Sequence, residues 1–142
     1  MSQDPREFPA DLYYLIEHQV WARLESGGMA QVGITSLGVE LAGEIYMCRP
    51  KNAGVTVEQG HSIAVVELAK SIVSVKSPVR GVVAAVNPAL ATMPELVHTD
   101  PYGQGWIARV LLSDFEADRP NLVHGAGVLP AMCNHARLHR VD

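Results

Sequence analysis

Two apolar segments of similar length flank a short polar bend near the middle of the chain. Residues Val55–Ala69 and Ile72–Val86 are rich in β-branched side chains, and Lys70-Ser71 separates them. Two such arms around a two-residue bend predict an antiparallel hairpin, because β-branched residues suit a pleated strand and polar residues suit a turn. The pattern therefore predicts a quasi-symmetric hairpin that carries a lysine at its exposed bend.

Short β-rich runs separated by turns continue along most of the sequence. The chain has 12 glycines and 9 prolines in 142 residues, and many of them fall in turn clusters between these runs. Strand-length runs with a turn about every ten residues are typical of an all-β sandwich or small barrel. We expect a single all-β domain over residues 1–142, with its core at about 13–112 and a C-terminal helical extension over 113–142.

Several local predictions accompany this architecture. Tyr13–Leu24 is interpreted as one strand, and Ser36–Leu41 as a short helix with Ser36 as its N-cap. The residues after Ser113 are acidic, as suits a first helical turn, and predict a short helix before Pro120. Residues 121–142 belong to the expected helical extension, but they have little periodicity and carry three of the six histidines.

Charge and the terminal sequence exclude several classes of protein. The chain has 11 basic and 15 acidic side chains, so it lacks the basic surface that a nucleic-acid binder needs. Uncharged stretches such as Asn121–Ala136 are interrupted by Pro, Gly and His, so no membrane span is expected. The polar N-terminus lacks the apolar segment of a secretory signal, and we expect a cytoplasmic protein in which Cys48 and Cys133 are thiols.

The lysine at the bend has two interpretations on spacing alone. The first is an ordinary solvated turn residue. The second is a covalently modified lysine, because a tip position is accessible to a modifying enzyme and leaves an attached group free to swing. Lipoamide and biotin carriers work in this way, with the cofactor supplying the chemistry and the protein supplying its presentation.

The segment around the bend resembles the lipoyl-lysine segment of the H protein family of the glycine cleavage system. That family has a glutamate three residues before the modified lysine and a Ser-Pro-x-x-Gly motif after it, which correspond here to Glu67, Lys70 and Ser77–Gly81. Residues 32–45 (VGITSLGVELAGEI) and 93–110 (MPELVHTDPYGQGWIARV) are similar to two further blocks of the family. The resemblance covers about residues 13–115 and implies a lipoyl-domain type of small barrel or sandwich hybrid. Biotin carriers have a Met-Lys-Met setting that this chain lacks.

The resemblance implies a non-catalytic carrier with lipoic acid bound covalently to Lys70. A lipoate–protein ligase would attach the group, and a dihydrolipoamide dehydrogenase would reoxidise it. Glu67, Ser71 and Ser74 would belong to the surface that the ligase and partner enzymes recognise. In glycine cleavage those partners are glycine decarboxylase and aminomethyltransferase. An unmodified H-like interaction module is the alternative from another class of protein.

Several positions depart from the family pattern. The segment Tyr14–Trp21 has one residue more before its tryptophan, Ser71 replaces a usual alanine, and Ser74 replaces a common aspartate. Arg49 and Lys51 make a neighbouring strand edge basic. With these changes the chain resembles the H-protein-like lipoate-binding proteins of sulfur-oxidising prokaryotes. Proteins of that group serve a heterodisulfide-reductase-like complex. We therefore expect sulfur-bound intermediates on the arm, with the aminomethyl group of glycine cleavage as the alternative.

Cys133 and the C-terminal histidines are residue types that can bind zinc. Cys133, His135 and His139 have a Cys-x-His-x₃-His spacing, but a zinc site needs four ligands and a fourth is not evident. We predict no bound metal. Cys48, at the end of a strand-like run, is interpreted as a small packed hydrophobic residue.

Overall fold

The structure, a computed structural model, describes residues 8–139. In this part of the chain the strands form two antiparallel sheets, one of seven strands in the order β10-β1-β2-β3-β9-β8-β5 and one of three in the order β4-β6-β7. The strand bounds are β1 Tyr13–Leu15, β2 Val20–Glu25, β3 Met29–Ile34, β4 Met47–Pro50, β5 Thr56–Val57, β6 Ser62–Glu67, β7 Ile72–Lys76, β8 Gly81–Val86, β9 Ala108–Leu112 and β10 Val123–His124.

A shared apolar core joins the two sheets. Val32 and Val110 of the larger sheet belong to the same buried cluster as Ile63, Val66 and Val75 of the smaller sheet. Removing such apolar side chains from water is the main favourable contribution to folding. The expected all-β sandwich or barrel with short helices and a C-terminal helix is confirmed.

Four α-helices accompany the sheets: α1 Ser36–Ala42, α2 Leu96–Thr99, α3 Phe115–Asp118 and α4 Val128–Leu138. The N-cap of α1 is Thr35, because its Oγ1 accepts a hydrogen bond from the backbone N–H of Gly38 at 2.9 Å. The prediction of Ser36 as the cap was wrong by one residue, since Ser36 is already helical. Within residues 8–139 no helix is long and apolar enough to cross a membrane.

The first predicted strand is two strands, β1 and β2, which pair with each other. A 3-10 turn at Ile16–His18 separates them, and Gln19 follows in the left-handed conformation with φ 54°. The Gln19 side chain holds this reversal, because its Nε2 donates to the Ile16 carbonyl at 2.8 Å and its Oε1 accepts from Thr35 Oγ1 at 2.6 Å. Glutamine is not a usual residue for a left-handed turn, so the sequence did not indicate it.

The C-terminal segment is more regular than expected. The predicted short helix is α3, but β10 then pairs with β1 and joins the larger sheet, and α4 follows it. Val128, Met132 and Ala136 of α4 pack with Trp21 and Tyr14 in a second buried cluster. Their spacing of four residues fits one face of an α-helix.

Candidate functional site

Lys70 lies at the tip of the β6–β7 hairpin. Glu67 pairs with Ile72, and the backbone N–H of Leu68 donates to the carbonyl of Ser71 at 2.8 Å, so only Ala69 and Lys70 lie beyond the last hydrogen bond. Lys70 is exposed, and its amine makes no hydrogen bond or ion pair with the described residues. The predicted hairpin with a lysine at its exposed bend is confirmed.

Glu67 is engaged by Arg49 from the neighbouring strand. Glu67 lies opposite Met47 in the β4–β6 ladder, so Arg49 is its diagonal neighbour on the same face. Arg49 Nε donates to Glu67 Oε2 at 2.5 Å. The inference of a basic edge is therefore corrected: the charge of Arg49 is offset by Glu67, and only Lys51 is left without an ion pair among the described residues.

The two serines take different positions relative to Lys70. Ser71 is exposed at the tip beside the lysine. Ser74 pairs with Val65 further down the hairpin, is half-buried, and accepts a hydrogen bond from Lys76 Nζ at 3.2 Å. The structure thus brings Glu67 and Ser71 to the tip and places Ser74 on the wall of a pocket.

The Ser-Pro-x-x-Gly motif fixes the base of the hairpin. Ser77 is fully buried, its hydroxyl donates to the Val79 carbonyl at 2.6 Å, and its backbone N–H donates to the His61 carbonyl at 2.7 Å. The backbone N–H of Gly60 donates to the Ser77 carbonyl at 2.8 Å. These bonds tie the end of β7 to the chain that precedes β6, so the motif has a structural role.

A buried ion pair attaches the C-terminal segment to the same base. The Asp118 carboxylate has no exposed surface; Oδ2 accepts from the backbone N–H of Arg80 at 2.7 Å and Oδ1 from Arg80 Nε at 2.9 Å. Gln59 Nε2 bridges the carbonyls of Pro78 and Asp118 at 3.0 Å each. The ion pair raises the pKa of Arg80 further above its ordinary value, chiefly through the hydrogen bond to Asp118.

A pocket of about 200 Å³ lies between β7, the turn after β1, α1 and α4. Most of its lining is aliphatic, and its polar side chains include Glu17, His18, Ser74 and His135. The lining residues are Glu17, His18, Gln19, Val20, Ile34, Gly38, Leu41, Ala42, Ile45, Val66, Val73, Ser74, Val75 and His135. The sequence indicated neither this pocket nor His135 as part of it, because the expected C-terminal helical extension had no predicted bounds or contacts.

The remaining cysteine and histidine predictions have mixed outcomes. Cys48 is buried, and burial raises the pKa of its thiol to about 12, so its interpretation as a packed hydrophobic residue is confirmed. Cys133 is half-buried, and the ring of His135 on α4 lies 4.3 Å from the ring of His139, the residue that follows this helix. Residues 8–139 contain no cluster of three potential metal ligands. That the protein binds no zinc stays a prediction.

Most of the chain matches one known protein family. The model of the family described as glycine cleavage H-protein matches residues 12–132. The chain belongs to the glycine cleavage H-protein family. The match includes both sheets and the first five residues of α4, and it ends before His135.

Two relatives and one solved structure illustrate the similarity of this chain to H proteins. The glycine cleavage system H protein 2 of Aquifex aeolicus is 39% identical over 117 residues, which cover 82% of this chain and 73% of the relative. The H protein of Xanthomonas oryzae pv. oryzae is 43% identical over 110 residues, 78% of this chain and 83% of the relative. The crystal structure of an H protein from Mycobacterium marinum superimposes with a TM-score of 0.68 at 33% identity, over 75% of this chain and 87% of that one.

H proteins are non-catalytic carrier subunits whose cofactor is lipoate bound covalently to a lysine. The tip of the β6–β7 hairpin fits such a group, because the amine of Lys70 is exposed and makes no hydrogen bond or ion pair with the described residues. The other lysines fit less well: Lys76 donates to Ser74 in the body of the hairpin, and Lys51 lies beyond the end of β4.

Proposed function

We propose that this chain is a cytoplasmic, single-domain lipoyl carrier with lipoate amide-linked to Nζ of Lys70. The observation that carries the proposal is the exposed amine at the tip of the β6–β7 hairpin, in a chain that belongs to the H-protein family. Bound lipoate supplies a reversible disulfide–dithiol pair that can hold a transferred group. A lipoate–protein ligase and a dihydrolipoamide dehydrogenase are the partners that this chemistry requires.

The chain itself presents the lysine. Pairing of β6 with β7 continues up to Glu67 and Ile72, and the Leu68–Ser71 hydrogen bond closes the loop, so the lysine stands on a rigid support. The Glu67–Arg49 ion pair links this support to β4. A partner enzyme therefore meets a defined tip, with exposed Ile72 and Tyr46 beside it.

Lipoylation should occur on Lys70 alone. Co-expression with a lipoate–protein ligase and lipoate is expected to add one lipoyl group per chain, measured by intact mass and located by peptide mapping. Lys70→Arg keeps the positive charge but removes the acylatable amine, so this variant should fold normally and gain no mass. Lys76→Arg is the matched control and should be modified as the wild type is. A lipoyl group on Lys51 or Lys76 would refute the assignment.

The cargo that the comparisons favour is the aminomethyl group of glycine cleavage. Relatives that are 39–43% identical to this chain bear the name glycine cleavage system H protein. On this proposal the chain works with glycine decarboxylase and aminomethyltransferase. A second cargo, a sulfur-bound intermediate passed to a heterodisulfide-reductase-like complex, is supported by Ser74, which stands where many H proteins have aspartate, and by the two imidazoles of the pocket that it lines.

An exchange assay separates the two cargoes. The fully lipoylated chain is expected to support glycine–bicarbonate exchange by glycine decarboxylase, and S74D should raise the rate about two- to fivefold by adding the acidic group that many H proteins have at this position. Ser71→Ala is the control and should change the rate little. Arg49 is kept, because its removal would leave Glu67 without its ion-pair partner. If the lipoylated wild type supports no exchange, the glycine cleavage cargo is wrong and the sulfur cargo takes its place.

A further inference from the structure

The outer face of the smaller sheet is positively charged, although the chain as a whole is acidic. Strands β4, β6 and β7 contain three charged side chains, Arg49, Glu67 and Lys76, and Lys51 directly follows β4. Arg49 and Glu67 offset each other through their ion pair. Lys51 and Lys76 have no ion pair with the described residues, so they give the face a net charge of +2. The net charge of the whole chain is −4, so its other residues sum to −6.

The register of the strands places these charged groups on one side of the sheet. Arg49 lies opposite Val65, and Val65 lies opposite Ser74, so the three side chains share a face. Lys76 follows two residues after Ser74 and donates to its hydroxyl at 3.2 Å, so its ammonium group lies on the same face. The opposite face, which carries Val66, is buried in the core.

The same face has an exposed apolar side chain near the tip of the hairpin. Ile72 lies opposite Glu67, on the side of the sheet that carries Arg49, and it is 68% exposed. Lys51 lies at the far end of the face, where its backbone N–H continues the ladder by donating to the Ile63 carbonyl at 2.9 Å. Apolar side chains with charged groups around them are typical of protein–protein interfaces.

The enzyme that modifies Lys70 has to approach this face more closely than the other partners do. A lipoyl-lysine has about eleven bonds between its Cα and the ring, which span about 13 Å when extended like a backbone. Enzymes that act on the sulfur end can therefore stay clear of the sheet, whereas the ligase must bring its active site to Nζ. A standard interface covers about 800 Å² on each partner, a patch about 30 Å across. A patch of this size that begins at the tip includes Lys76, which is about 20 Å along β7 from Lys70.

We propose that the outer face of β4, β6 and β7 is the docking surface for the lipoate–protein ligase, and that the ligase surface beside its active site is acidic. The inference rests on the proposed lipoylation of Lys70. Lys51 and Lys76 attract the acidic surface, and Ile72 packs against the ligase near the tip. The ion pair with Arg49 neutralises the only carboxylate on these three strands, so that it does not repel the ligase.

The role of the two lysines is to select the ligase and not to take part in the acyl transfer. Charges at the rim of an interface mainly govern the rate of encounter and its salt dependence. Reversing them should therefore act on KM and leave kcat nearly unchanged.

The test measures lipoylation of the full-length unmodified chain by the lipoate–protein ligase of the same organism, with saturating lipoate and ATP. Intact mass, followed over time at several chain concentrations, gives kcat and KM. Lys51→Glu combined with Lys76→Glu changes the charge of the face from +2 to −2 and should lower kcat/KM about tenfold at about 0.02 M salt. At about 0.5 M salt the loss should shrink to about twofold, because salt screens exposed charges.

Arg137→Glu is the matched control, because it reverses an exposed cation on α4, outside this face. This variant should have the wild-type kcat/KM at both salt concentrations. Lys51→Arg combined with Lys76→Arg restores the positive charge and should recover the wild-type value, which separates an effect of charge from an effect of side-chain shape. Thermal melting of each variant shows that it is folded at the assay temperature.

Equal kcat/KM for the wild type and the double glutamate variant would overturn the proposal, as would a loss of the same size at both salt concentrations. An equal loss in Arg137→Glu would also overturn it, because the effect would then come from the overall charge. A wild-type chain that gains no lipoyl group would refute the proposed function and this inference together. Intact mass of the wild type distinguishes that result from a failure of the docking surface alone.

Discussion

Asp118→Ala is expected to lower the free energy of unfolding by about 3 kcal/mol, because it removes a fully buried carboxylate that accepts two hydrogen bonds. The backbone N–H of Arg80 would lose its acceptor inside the protein, and a cavity would replace the carboxylate. The guanidinium of Arg80 is partly exposed and can turn to solvent. The loss of its carboxylate partner therefore adds less to the destabilisation than the unpaired backbone N–H does. For a chain of this length the melting temperature should fall by roughly 10 °C.

Glu116→Ala is the matched control in the same helix. Glu116 pairs with Arg119 at 3.1 Å, but both side chains are well exposed, and ion pairs of this kind contribute about 0.5 kcal/mol or less. Urea denaturation of both variants tests the difference. Equal midpoints for Asp118→Ala and Glu116→Ala would mean that the buried pair does not stabilise the fold.

The Asp118 variant also has a local consequence at the hairpin. Asp118 holds the C-terminal segment to Arg80, and Gln59 joins the same segment to Pro78. Losing the carboxylate should therefore increase amide hydrogen exchange at residues 77–81 more than in the β2–β3 pair, whose ladder is remote in sequence and separately hydrogen bonded. The tip of the hairpin should remain paired, and Lys70 should still be modified.

The β6–β7 hairpin could be predicted from the sequence because its signals are local. The two β-branched arms, the polar bend and the Ser-Pro motif all lie within about thirty residues, and each agrees with the others. The structure adds the detail that pairing stops at Glu67 and Ile72. The hairpin alone places Glu67 and Ser71 at the tip, without information from distant parts of the sequence.

The parts that could not be predicted depend on contacts between distant segments. Gln19 adopts a left-handed conformation because Thr35 and Ile16 hold its side chain, and the sequence around Gln19 does not reveal either partner. The helix that carries His135 depends on burial against Trp21, more than a hundred residues earlier. The ion pair between Arg49 and Glu67 depends on the register of β4 against β6. Each of these needs the tertiary structure to be known first.

Gly81→Ala is expected to destabilise the fold by about 3 kcal/mol, because the added methyl group has no room. A Cβ at Gly81 would run into the carbonyl oxygen of Leu111 and lie 2.7 Å from Cγ1 of Val110, so β8 and β9 would have to separate. The added methyl group would collide with the backbone of Leu111 as well as with the side chain of Val110, so a rotamer change cannot relieve the clash. The glycine of the Ser-Pro-x-x-Gly motif thus allows the close approach of two strands at the base of the β6–β7 hairpin.

Gly127→Ala separates this effect from the general cost of replacing glycine. A Cβ at position 127 meets only Cγ1 of Val123, at 3.4 Å, and Gly127 has no positive φ. The unfolding midpoint of Gly127→Ala in urea should therefore stay close to that of the wild type. Lipoylation of Gly81→Ala, measured by intact mass below its melting temperature, should still occur, because the tip is closed by its own Leu68–Ser71 bond. A Gly81→Ala variant as stable as Gly127→Ala would show that β8 and β9 can adjust, and the motif glycine would then need another explanation.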